Sequence, residues 1–316
     1  MKGIYHVEVK NRDASFKFDL FRNITIVRGK SGTGKTTLFE MIADFTRLGE
    51  KSGVNISCDR KCVALIDSEW KYKLQHTSDS IVFIDEGFEP LATEEFAAVM
   101  KETNNYYVIF CRENLHEIPY SVEEIYEIKT SGRYHSFKKL YKSTGKHIYY
   151  TDKAPQKKDF DILITEDAKS GYEFYSGYFK DSNVVCMSSE SNSAVFKRVI
   201  ENRGKKIFVI ADGASFGSEI DRVLKSSSAS NLIVCLPESF EWLILKSGLI
   251  KAEQLQAILE NPSEYIESSE FFSWENFFEK YLVEKTTDTL FRYAKRKLNP
   301  VYLNSANADK IIAEIR

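Results

Sequence analysis

The chain has 316 residues, of which 43% are apolar and 28% charged, enough to bury a core in each of two domains. Its 44 Lys and Arg nearly balance 46 Asp and Glu, which excludes nucleic-acid recognition by bulk charge and leaves only a local basic groove for it. Five scattered cysteines form no disulfide framework, and no apolar run approaches the roughly 20 residues that a membrane span needs.

In chain order, residues 3–9 and 14–20 carry apolar side chains around the polar turn Asn11-Arg12-Asp13, the pattern of a β-hairpin. Lys2, His6, Glu8 and Lys10 interrupt any apolar block of a secretory signal, so the expected compartment is the reducing cytoplasm. The β-branched run Ile24 to Val27 then leads into Gly29-Lys30-Ser31-Gly32-Thr33-Gly34-Lys35-Thr36, which reads G-x-x-x-x-G-K-T, the phosphate-binding loop. Downstream, Leu38, Met41, Ile42 and Phe45 recur at helical spacing, so the loop sits between a strand and a helix as its chemistry requires.

Glycines at 29, 32 and 34 free the backbone to turn successive N–H groups toward phosphate oxygens. Gly29, Lys30, Ser31, Gly32, Thr33, Gly34, Lys35, Thr36 and Thr37 are therefore the expected nucleotide contacts. Lys35 is expected at the β- and γ-phosphates, and the Thr36 hydroxyl on Mg2+.

Val63 to Ile66 predicts a strand ending at Asp67, and Ile81 to Ile84 a second one ending in Asp85-Glu86. Leu91 to Thr103 predicts a helix, Tyr106 to Phe110 a strand ending in Cys111-Arg112, and Ile125 to Ile128 with Phe137 to Tyr141 a hairpin closing the domain. Carboxylates at the C-terminal end of a strand face the crevice where open α/β sheets bind ligands. Asp85 is thus expected to hold Mg2+ through water and Glu86 to polarise the attacking water.

The run Ile81 to Glu86 resembles the Walker B element of P-loop NTPases whose catalytic glutamate follows the metal-binding aspartate. The lead-in hairpin resembles the start of ABC and SMC-type ATPases, without their Ser-Gly-Gly-Gln signature. Arg112 resembles the sensor position of STAND and AAA+ NTPases, where arginine touches the γ-phosphate; the alternative is a surface arginine paired with Glu113 or Glu117. Residues 1–150 are read as a P-loop NTPase domain about four or five strands wide.

The apolar pattern then lapses, and residues 151–160, with Ala154-Pro155, read as a linker. Over 161–236 strands and helices alternate afresh, as in a parallel sheet, with Glu166 after the first strand and Asp212 after the third. These segments resemble the Toprim fold of topoisomerases, primases and the overcoming-lysogenization-defect (OLD) nucleases, where a glutamate and an Asp-x-Asp-x-x-Gly run bind magnesium for chemistry at phosphodiesters. Glu166, Asp212 and Gly217 match that pattern, but Ala214 stands where the second aspartate belongs, so a further ligand is sought in Asp167, Glu219 or Asp221. The alternative is a Rossmann-like module in which both acids merely cap strands. The domain order is similar to that of the OLD nucleases, with a far shorter ATPase part.

Residues 237–316 read as helical, with helices over 238–245, 252–259, 271–282 and 289–298. The last carries Arg292, Lys295, Arg296 and Lys297, either a phosphate-contacting surface or a solvated helix face. The whole predicts an α/β protein: a P-loop NTPase domain with a mostly parallel sheet, then a Toprim-like or Rossmann-like domain with a helical C-terminal region. It predicts ATP binding and Mg2+-dependent hydrolysis through Lys35, Glu86 and Arg112, with Thr36 and Asp85 on one metal and Glu166 and Asp212 on another. Nucleotide state would control an effector linked to nucleic acid, as in phage defence or a mobile element. A small-molecule or polynucleotide kinase and a non-enzymatic nucleotide-dependent switch are the other readings. The expected partners beyond nucleotide are nucleic acid, a protein docked on the C-terminal helices and a second copy of the chain, with no membrane.

Overall fold

A computed structural model describes residues 1–66, 68–141, 159–226 and 231–315. The chain divides into two compact units, Met1–Tyr141 with Asn261–Phe272, and Lys142–Glu260 with Ser273–Arg316. Asp67 and positions 151–158 of the expected linker lie outside the described residues. Among the described residues, no helix is long and apolar enough to cross a membrane.

The strands of the first unit are β1 (Tyr5–Lys10), β2 (Ser15–Leu20), β3 (Ile24–Arg28), β4 (Asn55–Ser57), β5 (Lys61–Ala64), β6 (Ser80–Ile84), β7 (Tyr106–Phe110), β8 (Ile125–Ser131) and β9 (Tyr134–Lys139). They form one sheet in the order β4-β1-β2-β9-β8-β3-β7-β6-β5. This nine-stranded sheet is wider than the sequence led us to expect, and the hairpin of β8 and β9 is the reason. Instead of closing an edge, it inserts between β2 and β3, β9 running parallel to β2 (Phe16↔His135) and β8 parallel to β3 (Ile26↔Ile125). The antiparallel strands β1, β2 and β4 are thereby joined to the parallel set β3, β7, β6 and β5.

Strands β3, β6 and β7 are buried at every position, which explains their mostly apolar sequences, with Thr25, Arg28 and Ser80 as the buried polar exceptions. Helix α1 (Lys35–Leu48) turns Leu38, Met41 and Ile42 onto the sheet, where they meet Val27, Phe83, Val108 and Phe110 in one core. It stops at Gly49, whose N–H returns to the Phe45 carbonyl. Helices α2 (Trp70–Gln75) and α3 (Glu94–Glu102) complete the unit; α3 starts later than its apolar pattern because Thr93 caps it, accepting from the Phe96 N–H. Residues 261–272, read from sequence as part of the helical region, belong to this unit: Gly3 N–H donates to the Ser263 carbonyl, and Asn23 to that of Phe272.

Among the described residues, the second unit holds four parallel strands of four residues each, β10 (Ile162–Thr165), β11 (Val185–Ser188), β12 (Ile207–Ile210) and β13 (Leu232–Cys235), ordered β11-β10-β12-β13. Its helices are α4 (Ser170–Tyr178), α5 (Asn192–Glu201), α6 (Ile220–Lys225), α7 (Phe240–Lys246), α8 (Leu255–Glu260), α9 (Trp274–Thr286) and α10 (Ser305–Ala313). The helix expected over 289–298 does not form. Its backbone groups are used elsewhere: the Lys295 carbonyl accepts from Ser170 N–H, the Leu298 N–H donates to Glu173, and the Tyr293 N–H donates to Thr286 Oγ1. Helical bonding loses because these groups are bonded to α4 and α9.

Candidate functional site

The phosphate-loop sequence joins the carboxyl end of the central strand β3 to the amino end of α1. Gly32 (φ +83°) and Gly34 (φ +98°) adopt left-handed backbone that residues with a Cβ resist. The Lys35 side chain lies back across the loop, its Nζ donating to the carbonyl of Gly29 and, at 3.3 Å, to that of Lys30. Thr33 Oγ1 also donates to the Lys30 carbonyl, at 3.0 Å, so the turn is braced from within. Thr36 and Thr37 stand exposed on the first turn of α1.

Parallel register brings three strand ends to one edge: Val27 of β3 faces Phe110 of β7, and Ile109 of β7 faces Ile84 of β6. Half-buried Asp85, exposed Glu86 and Arg112 follow directly from those ends. Arg112 pairs with Glu86, Nη2 to Oε1 at 2.8 Å. Arg28, buried at the end of β3, donates to Asn114 Oδ1 (2.7 Å) and to the Tyr120 hydroxyl (2.8 Å). Burial pushes the adjacent Cys111 thiol up to about 11, against the pull of the Arg28 guanidinium. Arg28 went unremarked in the sequence because an arginine ending a strand gives no sign of whether it turns inward.

In the second unit, β10 and β12 are neighbours in register, Thr165 facing Ile210, so Glu166 and Asp212 emerge side by side. Both line a cavity of about 200 Å³ together with Asp167, Glu241, Glu275 and Lys295. Burial, then Glu275 and Asp167, push the Glu166 carboxyl up to about 7. Burial, followed by Glu275 and Glu166, holds Asp212 well above the usual carboxylate range. Burial works against the Lys295 ammonium, yet Glu241 and Glu275 outweigh it and keep the lysine charged. Its Nζ lies 2.7 Å from Glu275 and 3.0 Å from Glu279.

Of the three acids considered as a substitute for Ala214, Asp167 reaches the cavity, but its carboxylate accepts from the N–H groups of Lys169 and Gly171 and so caps α4. Glu219 pairs with Arg222 at 3.3 Å, and neither it nor Asp221 lines the cavity. Glu241 of α7 and Glu275 of α9 stand there instead, both from the region read only as helical. The available signal was Glu241 itself, an acid inside the apolar run Phe240-Glu241-Trp242-Leu243-Ile244. Of the basic cluster, Lys295 turns into the cavity while Arg292, Arg296 and Lys297 stay exposed.

Among the described residues, no group of three or more His, Cys, Asp or Glu is arranged to hold a metal ion by itself. Mg2+ commonly takes one or two carboxylates and keeps several waters, so the paired acids Glu166 and Asp212 and the donors Thr36 and Asp85 remain compatible with it. No protein-family model and no curated protein matches the chain.

Proposed function

We propose that the first unit binds a nucleoside triphosphate with Mg2+ at Gly29 to Thr37 and hydrolyses it. One observation carries this reading: the phosphate-loop sequence lies at the carboxyl edge of the sheet that also presents Asp85, Glu86 and Arg112. Thr36 and Asp85 would hold the ion, which supplies charge neutralisation at the phosphates. Loop N–H groups bind the phosphates, and Lys35 moves from its own loop carbonyls to phosphate oxygens. Glu86 orients and polarises the attacking water, and Arg112 faces the charge that builds up as the terminal phosphate departs.

Adjacent parallel strands ending in Glu166 and Asp212 support a Toprim-like reading of the second unit, with Mg2+ held by those two acids. Nucleotide state would then control chemistry or binding at nucleic-acid phosphates. Release of inorganic phosphate from ATP and from GTP, without any added acceptor, tests the first half and separates hydrolysis from phosphoryl transfer to a hydroxyl. Lys35→Ala is expected to lower that release at least about 100-fold. Wild-type protein that neither binds nor splits a nucleotide would end the proposal. Titration with Mn2+, with loss of binding in Glu166→Gln and Asp212→Asn, tests the second half.

A further inference from the structure

We propose that His135 is a stacking platform for the base of the nucleotide held by the phosphate loop, an inference that rests on the nucleotide reading above. The hairpin of β8 and β9 brings β9 beside β2, and their side chains stack in pairs across the two strands. Phe18 and Phe137 stack at 4.0 Å between ring centroids with planes 10° apart, Phe18 in the core and Phe137 partly buried against it. The next pair toward the loop is Phe16 and His135, at 4.2 Å and 14°. In both pairs a buried phenylalanine of β2 backs a partly exposed ring of β9.

The His135 ring lies against the loop itself. A Cβ built on Gly34 would stand 3.6 Å from His135 Nδ1 and from the Phe16 ring edge. Nδ1 also shares a hydrogen bond of 2.9 Å with Thr130 Oγ1, which fixes the plane of the imidazole. One face of the ring stacks on fully buried Phe16, and the residue is partly exposed beside the amino end of α1. Burial lowers the His135 pKa, so at neutral pH the ring is uncharged and offers a π-face rather than a cation.

A triphosphate caged by the loop leaves its ribose and base to settle on a neighbouring surface. A rigid, flat, aromatic surface backed by a second ring is suited to a nucleobase, since any base can stack on it. A histidine keeps this platform wettable before nucleotide arrives, whereas a phenylalanine there would expose an apolar ring.

The test compares ATP with inorganic tripolyphosphate, which carries the phosphates and lacks the base, by calorimetric titration of the full chain. His135→Ala is expected to weaken ATP about tenfold and to leave tripolyphosphate unchanged, while His135→Phe, which keeps the stack on Phe16, retains ATP affinity. Equal losses for both ligands, or none for either, would overturn the platform and leave the phosphate loop intact as a binding site. Wild-type protein that binds neither ligand would remove the nucleotide reading and this inference with it.

Discussion

Glu86 and Arg112, which follow the neighbouring parallel strands β6 and β7, are joined by an ion pair of 2.8 Å. On the proposed reading, the pair would place the acid that activates water beside the cation that meets the phosphate charge, and each restrains the other's position. Both side chains are partly exposed, so the pair is worth less than about 1 kcal/mol to folding.

Glu86→Gln is therefore expected to lower phosphate release by roughly 100- to 1,000-fold while changing unfolding stability by under about 1 kcal/mol. Nucleotide affinity should hold. Unaltered turnover in this variant would reduce the pair to a surface bridge.

Glu124 sets a pH dependence of the first unit. Burial pushes its carboxyl from 4.5 up to about 7, against attraction by Arg22 and Lys139. The unfolded chain therefore loses this proton first as pH rises, and stability falls between about pH 4.5 and 7. At roughly 1.4 kcal/mol per pKa unit the loss is on the order of 3 kcal/mol, fully present above pH 7 and absent below 4.5. Urea unfolding should show Glu124→Gln level with the parent near pH 4.5 and more stable by about 2–3 kcal/mol at pH 8. Parallel curves at the two pH values would contradict the assignment.

Lys295 neutralises a carboxylate-lined cavity. Its Nζ sits 4.0 Å from Glu241, whose other partner is the Tyr293 hydroxyl at 2.6 Å. Lys295→Met would leave buried Glu241 without its cation, at a cost of about 3 kcal/mol near pH 8. Burial already raises the Glu241 pKa, so protonation relieves the defect and the cost should shrink as pH falls. Thermal melts of the variant and parent across pH 5 to 8 would reveal the convergence.

Gly213 has no room for a side chain. A Cβ there would stand 2.5 Å from the Leu236 carbonyl oxygen and 3.0 Å from that of Pro237, both backbone atoms that cannot swing aside. Gly213→Ala should cost about 2–3 kcal/mol and displace Asp212 next to it. Gly177→Ala, which meets only the flexible end of Leu303, should cost about 1 kcal/mol. Similar losses for both, measured by denaturant unfolding, would show that the loop after β12 can yield.

What the sequence determined by itself was local. The phosphate-loop motif, the strand before it and the helix after it are read from spacing and backbone freedom within about a dozen residues, and they stand where the pattern put them. The same holds for β6, β7, β10 and β12, because a strand buried on both faces is apolar over most of its length. The apolar pattern reports that a segment is buried and says nothing of its neighbours. Tertiary structure alone decided that the hairpin of β8 and β9 enters the middle of the sheet, that Arg112 meets Glu86, and that His135 reaches Gly34. It also decided that Glu241, Glu275 and Lys295 join Glu166 and Asp212 around one cavity. Those groups lie far apart in the chain, and ionic attraction between them takes effect only after apolar burial has closed the distance.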